Sequence, residues 1–370
     1  MKLGKAVTLI RGNTYKSSLL SETEGPVLLG LGSIEKDGGF KRGSWKHYPG
    51  ESSSDILLHP GDLYVSLKDL TQSCNLLGAV SRVPVDIKEG RLTQDTVRLK
   101  FSPSIDTIDK LYIYWSLRTP QYRAYCKARG TGTTNMSLSR ADFLDWEIPD
   151  KTEMKTNLVI LLEGIEAKIE LNNQVNDYLA QVASAIYRKT LEELPTCDTL
   201  LSDVATVRYG KGLSKKDLTE EGYPVFGGNG QIGFYTSYLF EDPQILISCR
   251  GAASGNIMIS LPKSYVTSNS LIIELEDRRY YEWLKQHFLA NQLHGFVTGS
   301  AQPQITVDNL KFLTVPFPKY SDIVGTDTQL KHLSDCSYFL NKENTMLETL
   351  RDILLPRLIS GKIDISKVEA

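Results

Sequence analysis

The stretch Glu153-Met154-Lys155-Thr156-Asn157-Leu158-Val159-Ile160-Leu161-Leu162, continuing to Arg188-Lys189-Thr190-Leu191, decides the reading of this chain. From 153 to 193 it holds no proline and one glycine, Gly164. Apolar residues recur at spacings of four and three: Leu158, Leu162, Ile165, Ile169, then Leu179, Ala183 and Ile186. That is one stripe along a long helix at coiled-coil period. Asn172 and Asn176 interrupt the stripe, either as polar seam residues that fix register or as solvent-facing ones. Forty residues at ~1.5 Å rise make a rod of roughly 60 Å, longer than one soluble domain needs. Such a rod calls for a partner along its length.

A matching pattern stands at the end of the chain. Between Thr326 and Ile359, Leu333, Leu340, Leu347 and Leu354 fall every seven residues, with Leu330, Cys336 and Leu350 between them. Pro356 bends or ends this helix and Gly361 is a stop signal. Two long stripes of one period predict an antiparallel pair. The other reading is two unrelated surface helices, each on its own domain.

The remainder splits into two segments of short strand-like runs with turn punctuation, 1–150 and 196–322. They repeat each other in three places, in order. Ala6-Val7-Thr8-Leu9 with Gly12 matches Val204-Ala205-Thr206-Val207 with Gly210, 198 residues on. Asp62-Leu63-Tyr64-Val65-Ser66-Leu67-Lys68 resembles Gln244-Ile245-Leu246-Ile247-Ser248-Cys249-Arg250, 182 residues on. Thr131-Gly132 through Pro149 matches Thr298-Gly299 through Pro316 without a gap, 167 residues on. The falling offset gives the first segment about thirty residues of insertion. The expected fold is therefore α+β: two β-rich globular units separated by two long antiparallel helices, related by an internal pseudo-twofold repeat. The boundaries read 1–150, 151–195 (central helix), 196–322 and 323–370 (C-terminal helix). One chain thus imitates a symmetric dimer.

Composition sets the class. Hydrophobic residues at 41% and charged residues at 23% are ordinary for a soluble globular protein. No apolar run reaches the length of a membrane span, and Met1-Lys2-Leu3-Gly4-Lys5 does not read as a signal peptide. Five scattered cysteines without a Cys-x-x-Cys argue against a disulfide framework or zinc and for a reducing cytoplasm. His287 and His294, seven apart, could share a helix face, but core or surface histidines are several times more common in such a pattern. A net charge of −2 neither demands nor excludes nucleic acid.

Four segments carry a family resemblance that covers the whole chain: Phe226-Gly227-Gly228-Asn229-Gly230-Gln231-Ile232-Gly233-Phe234-Tyr235, Ile247-Ser248-Cys249-Arg250-Gly251, Gly299-Ser300-Ala301-Gln302-Pro303-Gln304-Ile305, and Leu354-Leu355-Pro356-Arg357-Leu358-Ile359-Ser360-Gly361-Lys362-Ile363. With the alternating layout, they resemble the specificity (S) subunits of type I restriction-modification systems. The first unit departs from the pattern. It has Gly132-Thr133-Thr134-Asn135-Met136-Ser137-Leu138 where the second has Gly-Ser-Ala-Gln-Pro-Gln-Ile, and Lys68-Asp69 where the second has Arg250-Gly251. The resemblance implies that each globular unit is a target recognition domain and that the helices are spacers. It implies double-stranded DNA as ligand, and as partners two modification (M) subunits, adenine-N6 methyltransferases, with restriction (R) subunits joining to make an ATP-dependent nuclease.

The chain carries little chemistry of its own. Phe226-Gly227-Gly228-Asn229-Gly230 hints at an S-adenosylmethionine loop, but a lone glycine-rich pentapeptide is weak. The Asn/Asp-Pro-Pro-aromatic partner motif is missing; Asp242-Pro243 is followed by Gln244. There is no Walker loop. We therefore expect a non-catalytic reader, with S-adenosylmethionine and ATP handled on partner subunits. Candidate DNA contacts are Lys41, Arg42, Lys46, Lys68 and Asn135 in the first unit. In the second they are Lys211, Lys215, Lys216, Asn229, Gln231, Arg250, Gln302 and Gln304. Lys and Arg neutralise phosphates, while Arg, Asn and Gln can contact base edges. The other reading of each lysine is a solvated surface charge, and of Gln302 and Gln304 a role in fixing the turn at Pro303. Lys68 and Arg250 stand out, because each follows an apolar strand at equivalent points of the repeat. Two reading heads on one DNA face should stand one helical turn apart, roughly 34–36 Å, or a multiple of it. The target would then be bipartite with a fixed gap. An interaction scaffold that touches no DNA is the alternative, and a self-contained methyltransferase a weaker one.

Overall fold

The computed structural model describes residues 1–370 apart from Ser44, Thr134, Thr196, Ser300, Ala301 and 361–370, and leaves out the side chains of Ile359 and Ser360. The Gly361 stop, the end of the last signature and the Ser300-Ala301 pair of the third therefore lie outside the described residues.

The chain forms two compact units, Met1–Glu170 with Asn344–Ala370, and Leu171–Glu343. In the first, β1 (Val7–Arg11), β2 (Val27–Leu29), β3 (Leu57–Leu58), β4 (Leu63–Ser66), β5 (Lys68–Asp69), β6 (Val80–Arg82), β7 (Gly90–Leu92) and β8 (Thr96–Phe101) precede α1 (Thr107–Ser116) and α2 (Pro120–Arg129). After these come β9 (Met136–Ser137), α3 (Arg140–Asp145) and the long α4 (Glu153–Glu193). The main sheet is antiparallel in the order β1-β8-β4-β6. In a smaller sheet, β2-β7-β3, β2 runs parallel to β7. Asp106 and Thr119 cap α1 and α2 by accepting from Asp109 N and Tyr122 N, and Pro120 opens α2 where its missing N–H costs nothing.

In the second unit, β10 (Cys197–Leu200), α5 (Leu201–Val204), β11 (Ala205–Tyr209), β12 (Tyr223–Gly227), β13 (Gly230–Tyr235), β14 (Ile245–Ser248), β15 (Ile257–Ile259), β16 (Tyr265–Val266) and β17 (Ser270–Leu275) lead to α6 (Tyr281–Ala290). Then follow β18 (Thr314–Phe317), α7 (Tyr320–Leu354) and α8 (Arg357–Ser360), the last turn lying beyond Pro356 in the first unit. The main sheet, β11-β17-β14-β15, repeats β1-β8-β4-β6 strand for strand. The parallel pair β12–β16 (Val225↔Tyr265) repeats β2–β7 (Val27↔Gly90). The helix after each sheet buries a tryptophan completely, Trp115 and Trp283. One residue-turn before each, Tyr112 OH and Tyr280 OH donate to the carbonyls of Asp150 and Pro318, just ahead of the long helices, at 3.2 and 3.1 Å. The small sheets differ in their third strand: β3 lies on β7, whereas β13 lies on β12.

Within each unit the long helices pair antiparallel. In the first, Leu158, Val159, Leu162 and Ile165 of α4 share one core with Leu354, Leu355 and Leu358, and with half-buried Leu347 and Leu350. In the second, Asn172 Nδ2 donates to Glu343 Oε2 at 2.7 Å and Asn176 Nδ2 to Asn341 Oδ1 at 3.0 Å, while Thr190 meets Thr326 at 3.2 Å. Residue numbers rise along one helix as they fall along the other. Asn172 is buried, which places it in the seam and not toward solvent. Two expected positions shift. Cys336 is exposed and does not fill the stripe, and fully buried Tyr187, one residue past half-buried Ile186, supplies the core contact. The reason is local: a stripe at 3.5 residues drifts around a 3.6-residue helix, and here each globular body competes with the partner helix for the buried face.

Candidate nucleic-acid interface

In the second unit β11 and β14 both run antiparallel to β17. Their C-terminal ends therefore lie together at one end of the sheet, beside the residues that enter β17. That end gathers Lys211, two residues past β11, Arg250, two past β14, and Asn269, just ahead of β17. A four-residue strand buried at every position carries Arg250, which is itself exposed. Such a support holds its tip in place better than a loop would. Gly251 follows at φ +78°, where a side chain would be strained, and lets the chain turn at once.

The loop holding Gln302 and Gln304 docks on this tip. Gln304 bridges Arg250 through the backbone. The Pro303 carbonyl accepts from Gly251 N at 3.0 Å and from Ser254 Oγ at 2.9 Å. Thr298 and Gln304 exchange backbone hydrogen bonds at 2.8 and 2.9 Å. Backbone atoms therefore fix the turn. Among the described residues the exposed amides of Gln302 and Gln304 have no hydrogen-bond partner, so they are available to an outside ligand. The β12–β13 turn approaches the same end: a Cβ at Gly228 would meet the Asn269 carbonyl at 3.0 Å and Ser248 Oγ at 3.4 Å. This turn carries exposed Asn229 and leads into exposed Gln231, whose Nε2 lies 3.5 Å from its neighbour Gly233 O. Lys211 pairs with Thr267, and Tyr265 OH holds the next carbonyl, Gly212 O, at 3.2 Å. Lys215 and Lys216 sit exposed on a single turn that Ser214 caps.

The first unit repeats the arrangement with different charges. Lys68, the counterpart of Arg250, pairs through β5 with Ser137, the counterpart of Gln304. Asn135, the counterpart of Gln302, is exposed beside it. The Lys68 ammonium is ion-paired to Asp95 at 2.9 Å. Asp95 stands where the second unit has Asn269, so the equivalent basic tip there keeps its charge unpaired among the described residues. Asp69 takes the place of Gly251. It is buried, and its carboxylate accepts from Thr71 N at 2.8 Å and Leu76 N at 2.7 Å. Burial pushes its pKa up, but those N–H donors and the Thr71 hydroxyl outweigh it and hold the pKa below the usual aspartate value. A carboxylate thus organises the loop that a glycine turn organises in the second unit.

The remaining first-unit candidates do not join this cluster. Arg42 reaches α4, where it pairs with Glu170 and also bonds Asp86 at 3.0 Å. It is a strut between the globular body and the helix. Lys46 pairs with Glu22 on the surface, and Lys41 is exposed. Sequence reading missed Asp95 and Asn269, whose signal was the strand repeat extended one residue ahead of β8 and β17. His287 lies against Tyr187 OH at 2.9 Å, and His294 Nδ1 lies 3.1 Å from Ser254 O, so the two histidines share no site.

Residues 199–349 match the family profile described as type I restriction modification DNA specificity domain. A 123-residue segment is 26% identical to the EcoprrI specificity subunit of Escherichia coli, covering 32% of this chain and 31% of that one. The match to this relative thus spans about a third of its length. Over 325 residues the chain is 21% identical to the MjaVIII specificity subunit of Methanocaldococcus jannaschii, covering 76% of each. The solved S subunit of M. genitalium superposes over 97% of this chain and 95% of its own, with a TM-score of 0.57 and 16% identity, a likeness of fold.

Proposed function

We propose that this chain, a member of the type I restriction-modification specificity subunits, reads a bipartite double-stranded DNA target, one half through each globular unit, and brings M subunits to it. The observation that carries the reading is the repeated sheet end. Two equivalent faces each join a strand-mounted basic residue to exposed amides, Arg250 with Gln302 and Gln304, Lys68 with Asn135. Cations position a duplex and amide side chains discriminate base edges. The divergence between the two faces is what two readers of different half-sites require.

Methyl transfer and ATP hydrolysis belong to partner subunits in this reading, with S-adenosylmethionine bound on M and ATP on R. The long helices support a partner along their outer faces. On α7, Phe339, Met346 and Ile353 stand seven residues apart and exposed; on α4, Leu171, Val175, Tyr178 and Val182 follow helical spacing and are exposed. Solvated helices rarely leave such stripes bare. The residue count along α4 and α7 would then set the gap between half-sites.

The test is a mobility shift of a duplex carrying the target by the chain with its M subunit, across a salt series. The expected result is a shift that weakens steeply as salt rises and falls about tenfold or more for Arg250→Ala. A complex that ignores DNA at every salt concentration would favour the scaffold reading.

A further inference from the structure

Among the described residues, the first unit buries a cation with no carboxylate partner. Arg91 of β7 is 2% exposed. Its Nε donates to Ser52 Oγ at 2.8 Å, Nη1 to Leu92 O at 3.0 Å, and Nη2 to Thr14 O at 3.0 Å and to Asn13 Oδ1. The guanidinium lies 4.7 Å from the Tyr48 ring centroid. Burial pulls its pKa below the ordinary arginine value; only Tyr48 and Tyr15 oppose this. A buried charge without a counter-ion is costly unless its hydrogen-bonding capacity is met, as it is here.

The layer covering Arg91 is thin. Asn13, Thr14 and Tyr15 are exposed, and Tyr15 stacks edge-on to Tyr48. Asn13 stands two residues past β1, paired with Thr93, at the same end of its sheet as Lys68 and Asp95. Its counterpart at the repeat offset is Lys211, paired with Thr267 in the same parallel sense. With Thr93 matched to Thr267, the counterpart of Arg91 is Tyr265, whose hydroxyl donates to Gly212 O as Arg91 Nη2 donates to Thr14 O. The second unit thus carries a cation on the loop above a neutral tyrosine. The first unit has exchanged them, with a neutral amide on the loop and the cation below.

That exchange fixes the amide. Arginine can only donate, so the atom it holds must be the Asn13 oxygen. The Asn13 Nδ2, a two-hydrogen donor on an exposed residue, has no partner among the described residues. We propose that Asn13 is a specificity-determining residue of the first unit, presenting its Nδ2 as a donor to an acceptor on a base edge, and that Arg91 is the positioning residue that sets this orientation. The inference rests on the DNA-reading role proposed above and assigns one contact within it.

The experiment maps methylated bases in cells carrying the chain and its M subunit, as wild type, Asn13→Asp, Arg91→Met and Arg91→Lys. Asn13→Asp keeps the acceptor for Arg91 and replaces the Nδ2 donor with an acceptor, on an exposed loop where folding is not at risk. Its expected result is a roughly tenfold to hundredfold loss of methylation at wild-type sites. The loss, or a switch of preferred base, is confined to one position of one half-site. Arg91→Met should relax the same position, and Arg91→Lys should fall between. Wild-type base preference in Asn13→Asp would overturn the proposal, as would a loss spread evenly over both half-sites. If wild type itself gave no bipartite pattern, the DNA-reading role would fail instead, and the two failures are distinguishable.

Discussion

The two globular units follow one chain path yet grip α4 by opposite chemistries. In the first, Glu163, Glu166 and Glu170 form one acidic face of α4. Arg82 meets Glu163 at 2.8 Å, Arg118 meets Glu166 at 3.1 Å, and Arg42 meets Glu170. Trp115 Nε1 adds a hydrogen bond to Glu163 at 2.6 Å, and Arg351 lies 3.9 Å from Glu166. In the second, Tyr187 of α4 packs tilted against Trp283 at 4.6 Å between centroids and bonds His287, while Trp283 Nε1 donates back to Pro316 O at 3.0 Å. A duplicated fold therefore tolerates either an ionic or an aromatic clasp at one structural position. What both keep is a fully buried tryptophan on the helix that follows the sheet.

The largest effect should come from breaking the ionic clasp on one side only. Arg118 is almost wholly buried, and Glu166, which burial would push up, is held below the usual glutamate pKa by Arg118, Arg351 and Arg82. Glu166→Ala leaves Arg118 buried without its partner and should cost about 3–5 kcal/mol in denaturant unfolding of the first unit. Replacing the pair together, Arg118→Met with Glu166→Leu, should recover most of that. A single-mutant loss under 1 kcal/mol would make the clasp ornamental.

The aromatic clasp should respond to acid. Burial lowers the His287 pKa to about 4, below the unfolded value of about 6.5. The unfolded chain therefore binds the proton first. Stability is held above pH 6.5 and lost as pH falls from there toward 4, by on the order of 2–3 kcal/mol. His287→Gln should flatten that part of a stability-against-pH curve. An unchanged slope in the variant would assign the loss to other groups; Asp327 is not one of them, because its pKa, raised by burial and Glu282 to about 6, makes the fold gain stability as pH falls.

A smaller effect separates the two basic tips. Asp95→Asn frees Lys68 as Asn269 leaves Arg250 free, so duplex binding should strengthen several-fold at low salt, with the salt slope steeper by about one phosphate contact. No change in slope would mean that Lys68 leaves Asp95 on binding even in the wild type, or stands away from DNA.

Much of this was legible in the sequence, for a physical reason. Leu158, Leu162 and Leu354 declare the helical pair because burial at one period leaves a trace that needs no tertiary knowledge. The repeat was visible because equivalent strands need equivalent apolar runs, as Leu63–Ser66 and Ile245–Ser248 show. Position at the reading face was harder. Arg42, in a basic loop, reads as a phosphate ligand until Glu170 is brought beside it across 128 residues of chain. Arg250, unpaired among the described residues, and the engaged Lys68 differ through what enters the neighbouring strand, Asn269 or Asp95. Asn13 was invisible because its meaning comes from Arg91, on a strand with no sequence neighbour in common with it.

The most direct test of the account lengthens both helices together. One helical turn is inserted into α4 and one into α7 at the Asn172–Asn176 and Asn341–Glu343 seam, and methylated bases are mapped in cells that hold the variant and its M subunit. The account expects both half-sites to keep their sequences while the number of unread base pairs between them changes. Altered half-sites with the gap intact would contradict it.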